Sequence, residues 1–265
     1  MRKKLIVITS AIILLFACAF TISVNAEEIT TIETGAIGPS ATYTLTSDGI
    51  LTISGTGNTY SYDPTGNYFS PLGYLSDQIT SVVIKTGIEN IGSNLFNSVD
   101  QMVSVSIPNS VTSIGSYAFM HCSSLGAVKI PASVTYIGSY AFYNSGITEI
   151  SVPASVTYIG GYAFDECPNL DVVPGVLDEN IRFTLDKTTG EFRFSGTGEM
   201  PGYDVVNNDY APYRTLSSFV KSIVIEEGIT SVGSCAFWKF GEVESVQLPS
   251  TITAIYSSAF QQNYK

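Results

Sequence analysis

Charge is scarce in this chain. Only 13% of its 265 residues are Asp, Glu, Lys or Arg, while 45% are hydrophobic. That balance excludes an unfolded, highly charged polymer and supplies enough apolar surface for a substantial core. Basic charge is the scarcer kind, with 12 Lys and Arg against 23 Asp and Glu and a net charge of −11, so nucleic acid is excluded as a partner. There is a single histidine, His121, on which any Ser-His-Asp or Cys-His catalytic set would have to be built. Histidine and cysteine nowhere cluster with zinc spacing, so no metal site is expected.

Long hydrophobic runs are also missing, with one exception. Met1-Arg2-Lys3-Lys4 precedes an apolar run from Leu5 to Phe20, and Val24-Asn25-Ala26 forms a small-residue exit before Glu27. This predicts a signal peptide over 1–26, cut after Ala26, and hence a secreted or cell-surface protein whose mature chain does not insert in a membrane. The run is shorter than a membrane anchor and is interrupted by Thr and Ser. Leu15-Phe16-Ala17-Cys18 approximates a lipobox, the alternative in which Cys18 is lipidated. Removing the leader takes Arg2, Lys3 and Lys4 with it, leaving 9 basic against 23 acidic residues and a charge near −14.

What the chain has in abundance is repetition. "SVTSIGSYAF" (110–119) is followed by "SVTYIGSYAF" (133–142) and "SVTYIGGYAF" (155–164). The phrase also aligns Ile91-Gly92 with Phe96 before them, and Val232-Gly233 with Phe237 and Ile255-Tyr256 with Phe260 after them. Phenylalanine recurs at spacings of 23, 23 and 22, and again at 23, the mark of a solenoid. Between the phrases lies apolar-x-x-apolar-x-apolar-Pro: Met102, Val105, Ile107, Pro108; Leu125, Val128, Ile130, Pro131; Ile147, Ile150, Val152, Pro153; Val243, Val246, Leu248, Pro249. Two apolar residues separated by one face the same side of a strand, so one short strand per repeat is predicted, stopped by proline. Isoleucine and the Ala-Phe pair are expected to point inward, with glycine permitting a tight bend.

The stretch "IPASVTYIGSYAFYNSGITEISVP" resembles the BspA-type leucine-rich repeat, and the likeness extends over residues 79 to 170 and 220 to 262. The resemblance implies a right-handed, β-rich leucine-rich repeat solenoid of about 22–23 residues per coil with a sheet on its concave side. It also implies an exported or surface protein of a host-associated bacterium used for adhesion or protein binding, without enzymatic activity or cofactor. Cys122 and Cys167 hold the family's cysteine place and Ser145 holds it between them. Two repeats apart means about 10 Å, too far for a disulfide, so both are expected as buried small hydrophobes.

A longer duplication overlies the short one. Ser54-Gly55-Thr56-Gly57 matches Ser195-Gly196-Thr197-Gly198, and an offset of 141 holds through Tyr62 and Tyr203, Pro71 and Pro212, and Phe96 and Phe237. Leu45 pairs with Leu185 at offset 140, and the one-residue change at a Gly-containing turn marks a β-hairpin. Two tandem modules are predicted: a linker over 27–40, a hairpin and tyrosine-rich cap over 41–78, repeats over 79–176, a second cap over 177–219 and repeats over 220–265. "DVVPGVLDENIR" (171–182) breaks the pattern between them. The chain stops at Lys265 where another strand is due: either the coil end is left open, a surface through which an oligomer could form, or the natural protein continues beyond it.

Candidate binding residues follow from the strand period. Ser104, Ser106, Ala127, Lys129, Glu149, Ser151, Ser245 and Gln247 are expected on the outward, concave face, a shallow surface suited to a broad protein or glycan. Ser81, Val83, Ser222 and Val224 continue it. Tyr62, Tyr68, Tyr203, Tyr210 and Tyr213 are expected to cover the ends of the stack, or to form an aromatic platform for sugar or protein. That platform is the alternative function, a carbohydrate-binding module; a structural spacer within a larger surface protein is another. Asp204 and Asp209, with Asn207 and Asn208, lack the alternation of a calcium loop. An enzyme would require a deep pocket joining Asp204, Asp209 and His121. His121 stands where other repeats have Asn144 or Glu166, as a solvated loop residue would.

Overall fold

The computed structural model describes residues 28–63, 65 and 68–263. The expected leader, its cut after Ala26 and Cys18 lie outside the described residues.

Alternating threonines and apolar residues make the first strands. β1 (Thr31–Ala36), β2 (Ala41–Thr46) and β3 (Ile50–Gly55) pair antiparallel in that order. Tyr43, Leu45, Leu51 and Ile53 are buried. Gly49, at φ +80, and the Asp48 carboxylate, accepting from Thr46 Oγ1 at 2.6 Å, close the β2–β3 turn. The chain then runs through β4 (Gly57–Asn58), β5 (Ser81–Ile84), β6 (Ile88–Ile91), β7 (Ser104–Ser106), β8 (Ser113–Ile114), β9 (Val128–Lys129), β10 (Tyr136–Ile137), β11 (Ile150–Ser151) and β12 (Tyr158–Ile159). One sheet has the order β1-β2-β3-β5-β7, a second β4-β6-β8-β10-β12, and β9 pairs with β11.

The same plan recurs. β13 (Val172–Val176), β14 (Ile181–Asp186), β15 (Glu191–Gly196), β16 (Gly198–Glu199), β17 (Ser222–Ile225), β18 (Ile229–Val232), β19 (Ser245–Gln247) and β20 (Ala254–Ile255) form sheets β13-β14-β15-β17-β19 and β16-β18-β20. In each set the last antiparallel strand is the first partner of the parallel ladder, with Ile53 opposite Ile84 in one and Phe194 opposite Ile225 in the other. The hairpin therefore extends the parallel sheet rather than lying across it.

Several expectations need correction. The stretch 27–40, expected as a linker, contains β1, and the irregular 171–182 contains β13, so the expected boundary at 177 falls after a strand. Gly35 and Gly175 explain both. They sit opposite Tyr43 and Phe183 across the β1–β2 and β13–β14 ladders, whose rings lie over the place a Cβ would take. An aromatic covering a cross-strand glycine fixes register without any apolar alternation in the glycine's own strand. Each repeat also carries two short strands, not one. The second ends in the repeat isoleucine, and the next glycine donates back to the preceding repeat, from Gly115 N to Ile91 O at 2.7 Å and Gly138 N to Ile114 O at 2.8 Å.

The repeat glycine is not there to bend the chain. Gly92, Gly115, Gly138, Gly160 and Gly233 have no positive φ, whereas Asn94, Tyr117, Tyr140, Tyr162 and Cys235 occupy the left-handed region. A Cβ on Gly115 would stand 2.5 Å from Ser93 N, so the requirement is close approach of neighbouring backbones. The turns beyond it are held the other way: Tyr117 N, Phe119 N and His121 N donate forward to Ser139, Ala141 and Tyr143 carbonyls at 2.7–3.0 Å. Left-handed residues turn these N–H groups outward to the next repeat, which offsets their backbone strain of about 1–2 kcal/mol each.

Inside, Phe96, Phe119, Phe142 and Phe164 stack at centroid spacings of 5.1, 5.1 and 5.6 Å. Phe237 and Phe260 continue the motif at 5.2 Å. Between these runs Phe183, Phe192, Phe194 and Tyr213 fill the interior edge to face. One connected core results. Ile255 departs from the inward expectation, being 51% exposed in the last repeat. Val224 departs from the outward one, being buried opposite Arg193 of β15.

Candidate functional site

The eight candidates for the outward strand face are all exposed. Ser104 and Ser106 flank half-buried Val105 on β7; Lys129 and Ser151 are register partners on β9 and β11, with Ala127 and Glu149 two residues before them. These six belong to consecutive repeats. Ser245 and Gln247 lie on β19, in the other sheet, and do not join them. Ser81 Oγ and Ser104 Oγ are 2.5 Å apart, extending the hydroxyl row by one strand. The corresponding face of the second set is occupied by an ion pair network, in which Arg193 Nη2 lies 2.6 Å from Glu191 Oε1 and Nη1 3.0 Å from Glu226 Oε1. Exposed as it is, it contributes about 0–1 kcal/mol to stability.

The aromatic platform is the larger correction. Tyr62 and Tyr213 are 5% and 1% exposed and belong to the core, and Tyr203 is half-buried beside Tyr213 at 6.4 Å. Burial, with Tyr68, Tyr60 and Tyr43 nearby, pushes the Tyr62 hydroxyl up to about 12. Tyr213 lies 6.1 Å from Phe237 within the connected interior, so the ring is taken up by packing rather than presented to solvent. Tyr68 stays exposed, tilted against Tyr62 at 5.1 Å, and Tyr210 packs near Trp238 at 6.2 Å.

Two features were absent from the sequence reading. Tyr117, Tyr140 and Tyr162 form a surface ladder with ring centroids 5.0 and 4.7 Å apart, and Tyr136 stacks on Tyr158 at 4.9 Å. The signal of the first ladder was in plain view, a tyrosine two residues before Phe119, Phe142 and Phe164. A cleft of 390 Å³ opens between Tyr62, Phe69, Gly73, Tyr74, Asn94 and Asn97, and one of 660 Å³ lies where Tyr162 meets Asn208, Asp209 and Arg214.

The chemistry-bearing groups are occupied structurally. Asp204 Oδ1 accepts from Val206 N and Asn207 N, and Oδ2 from Asn207 Nδ2, so this carboxylate caps the turn Val205–Asn207. His121 Nδ1 is 3.0 Å from Asn144 Nδ2 on the next repeat. Among the described residues no group of three or more His, Cys, Asp or Glu could hold a metal ion. Cys122 and Cys167 are buried free thiols donating to Phe96 O and Phe142 O, each at 3.1 Å, and burial pushes both thiols up. Ser145 fills the place between them, its Oγ 3.5 Å from Cys167 Sγ. The second set is tied on by Arg182 Nη2 to Ala154 O, Lys187 Nζ to Cys167 O, and Thr215 Oγ1 to Asp165 Oδ2, at 2.8, 2.9 and 2.5 Å.

Short parallel strands, forward-donating turns and a stacked phenylalanine interior define a leucine-rich repeat protein with exposed flat faces and no assembled catalytic group among the described residues. The model of the BspA type leucine rich repeat region matches residues 74–173 and 210–265 in six copies. The chain belongs to this family. It is similar in fold to a leucine-rich repeat protein from Eubacterium ventriosum, with 24% identity and a TM-score of 0.53, over 88% of this chain and 63% of that one. The chain thus spans less than two thirds of that protein's length. Weaker likenesses are to a leucine-rich repeat protein from Bacteroides ovatus, at 15% identity, TM-score 0.40 and coverages of 89% and 79%, and to a leucine rich cell surface protein from Faecalibacterium prausnitzii, at 19%, 0.30, 88% and 86%. No curated protein matches the chain. Among the described residues no helix is long and apolar enough to cross a membrane.

Proposed function

We propose that this is an exported, cell-surface binding or adhesion protein without enzymatic activity, built as two tandem cap-plus-repeat modules of a right-handed solenoid. Its binding surface is the face of β7, β9 and β11, which would be the concave side, and it meets a broad protein or glycan partner. One observation carries this: Ser104, Ser106, Ala127, Lys129, Glu149 and Ser151 are exposed on successive repeats, four of them small and uncharged and the other two of opposite charge. A rigid scaffold offering short side chains at strand spacing places a large flat area against a partner at low ordering cost. The family's repeats and the N-terminal leader reading support the surface location.

The test is binding of the purified protein to immobilised matrix proteins and to a glycan array. Saturable binding to a member of either set, weakened at least about tenfold by Ala127→Arg with Ser151→Arg and retained in Ser245→Arg, is expected. Equal binding by the double variant, or none by the parent protein, overturns the reading.

A further inference from the structure

At one turn position the difference between the two halves of the chain states what that position holds. The offset of 141 aligns Phe69 with Tyr210, Asn97 with Trp238 and, between the matched pairs Pro71 and Pro212, and Leu75 and Leu216, Gly73 with Arg214. In the second half the Arg214 guanidinium carbon lies 4.1 Å from the centre of the Tyr210 ring and 5.8 Å from that of Trp238. The two rings are 6.2 Å apart and 25° from parallel, and the space left beside them is about 10 Å³. In the first half the slot is open. Gly73 brings no side chain, nothing lies within 4 Å of where its Cβ would stand, Asn97 replaces the indole, and the volume is 390 Å³.

We propose that this open slot binds a guanidinium group, an arginine side chain presented by a partner protein, seated as Arg214 is seated in the second half. The internal arginine shows that this turn geometry holds a planar cation against aromatic rings. Phe69 and Tyr74, both exposed and lining the cleft, supply π faces that attract one. Asn94 Oδ1 and Asn97 Oδ1 each accept one bond, from Asn97 Nδ2 and Ser98 Oγ at 2.9 Å, and each keeps a second lone pair for a guanidinium N–H. Among the described residues that line it none is basic, so none of them competes for the rings. The net charge of −11 raises the local concentration of any cation. A guanidinium is planar and weakly hydrated, which suits it to a shallow aromatic slot better than an ammonium. The site lies on turns away from β7, β9 and β11 and stands independently of the binding face proposed above.

The reciprocal exchange tests it. Acetyl-arginine amide, its uncharged isostere acetyl-citrulline amide and a neutral disaccharide are titrated into ¹⁵N-labelled protein. The arginine probe is expected to shift the Asn94 and Asn97 side-chain amide signals saturably, and citrulline to bind at least about tenfold more weakly. Gly73→Arg fills the slot from within and removes the shifts without lowering the thermal unfolding temperature, since a Cβ at 73 meets nothing within 4 Å. Arg214→Gly opens a second slot, read as a change in Trp238 fluorescence on adding arginine amide that the parent protein does not give. Phe69→Ala, on an exposed ring, gives the same loss as Gly73→Arg by an independent route. Absence of shifts, equal binding of citrulline, shifts by the disaccharide alone, or full binding by both Gly73→Arg and Phe69→Ala overturns the proposal.

Discussion

The rings of Phe119 and Phe142 lie 5.1 Å apart and only 8° from parallel, one repeat apart. Phe96 covers the other face of Phe119 at the same spacing, and Phe119 has no exposed surface. Phe119→Ala should therefore cost about 3–5 kcal/mol, since both neighbours are held by backbone ladders and cannot collapse into the space. Phe260, half-buried and stacked on one side by Phe237, should cost roughly half as much when changed to Ala. Urea midpoints decide it. Equal losses would mean that stacking on two sides adds nothing.

Gly115 and Gly241 separate close approach from turn chemistry. A methyl at 115 meets Ser93 N at 2.5 Å and Gly92 C at 2.8 Å, while one at 241 meets nothing within 4 Å. Gly115→Ala should cost about 1–3 kcal/mol and lower the melting temperature. Gly241→Ala should stay within about 0.5 kcal/mol of the parent. A neutral Gly115→Ala would show that neighbouring repeats can move apart at this point.

Asp165 makes the junction between the halves sensitive to pH. Burial pushes its carboxyl up, against the opposing effect of the Thr215 hydroxyl, which donates to it at 2.5 Å. A carboxyl raised in the folded state binds more protons there than in the unfolded chain, so stability falls as pH rises from the ordinary carboxylate range through the raised value. Asp165→Asn keeps an acceptor for Thr215 and removes the charge. It should raise the melting temperature at pH 7 and flatten the acidic part of the stability curve. A lower melting temperature at pH 7 would mean that Lys187 or Thr215 outweighs burial.

The three cysteines among the described residues should react in two classes. Cys122 and Cys167 are buried with raised thiols, so their thiolates are suppressed at neutral pH; Cys235 is partly exposed. Iodoacetamide should label Cys235 first and the other two only on unfolding, as peptide mass mapping would show. Cys122→Ser should be mild, about 1 kcal/mol, because Ser145 already occupies the same place in the repeat between Cys122 and Cys167. Fast labelling of Cys122 in folded protein would contradict its burial.

Much of this molecule was legible as text. Period-23 phenylalanines, the isoleucine before each glycine and the proline after each apolar triplet specify stacked repeats, because identical shapes at equal intervals can share one interior. The β2–β3 hairpin was equally legible from alternation and its glycine turn. β1 and β13 were not, since Gly35 and Gly175 gain their meaning only from the rings of Tyr43 and Phe183 on another strand. Nor was the fate of the connecting tyrosines. Tyr62 and Tyr68 belong to the same aromatic-rich stretch, yet one is core and the other surface.

By itself, then, the sequence determined the repeat, its interval and the inward phenylalanine row, since these follow from a pattern that recurs from one repeat to the next along the chain. Only the tertiary structure decided which of the connecting aromatic rings enter the core and which face solvent. It alone made the repeat glycine a matter of backbone approach and left one turn open at Gly73 while filling its counterpart with Arg214. Those outcomes depend on what a neighbouring strand or repeat brings into contact, and distance across space is not written in distance along the chain.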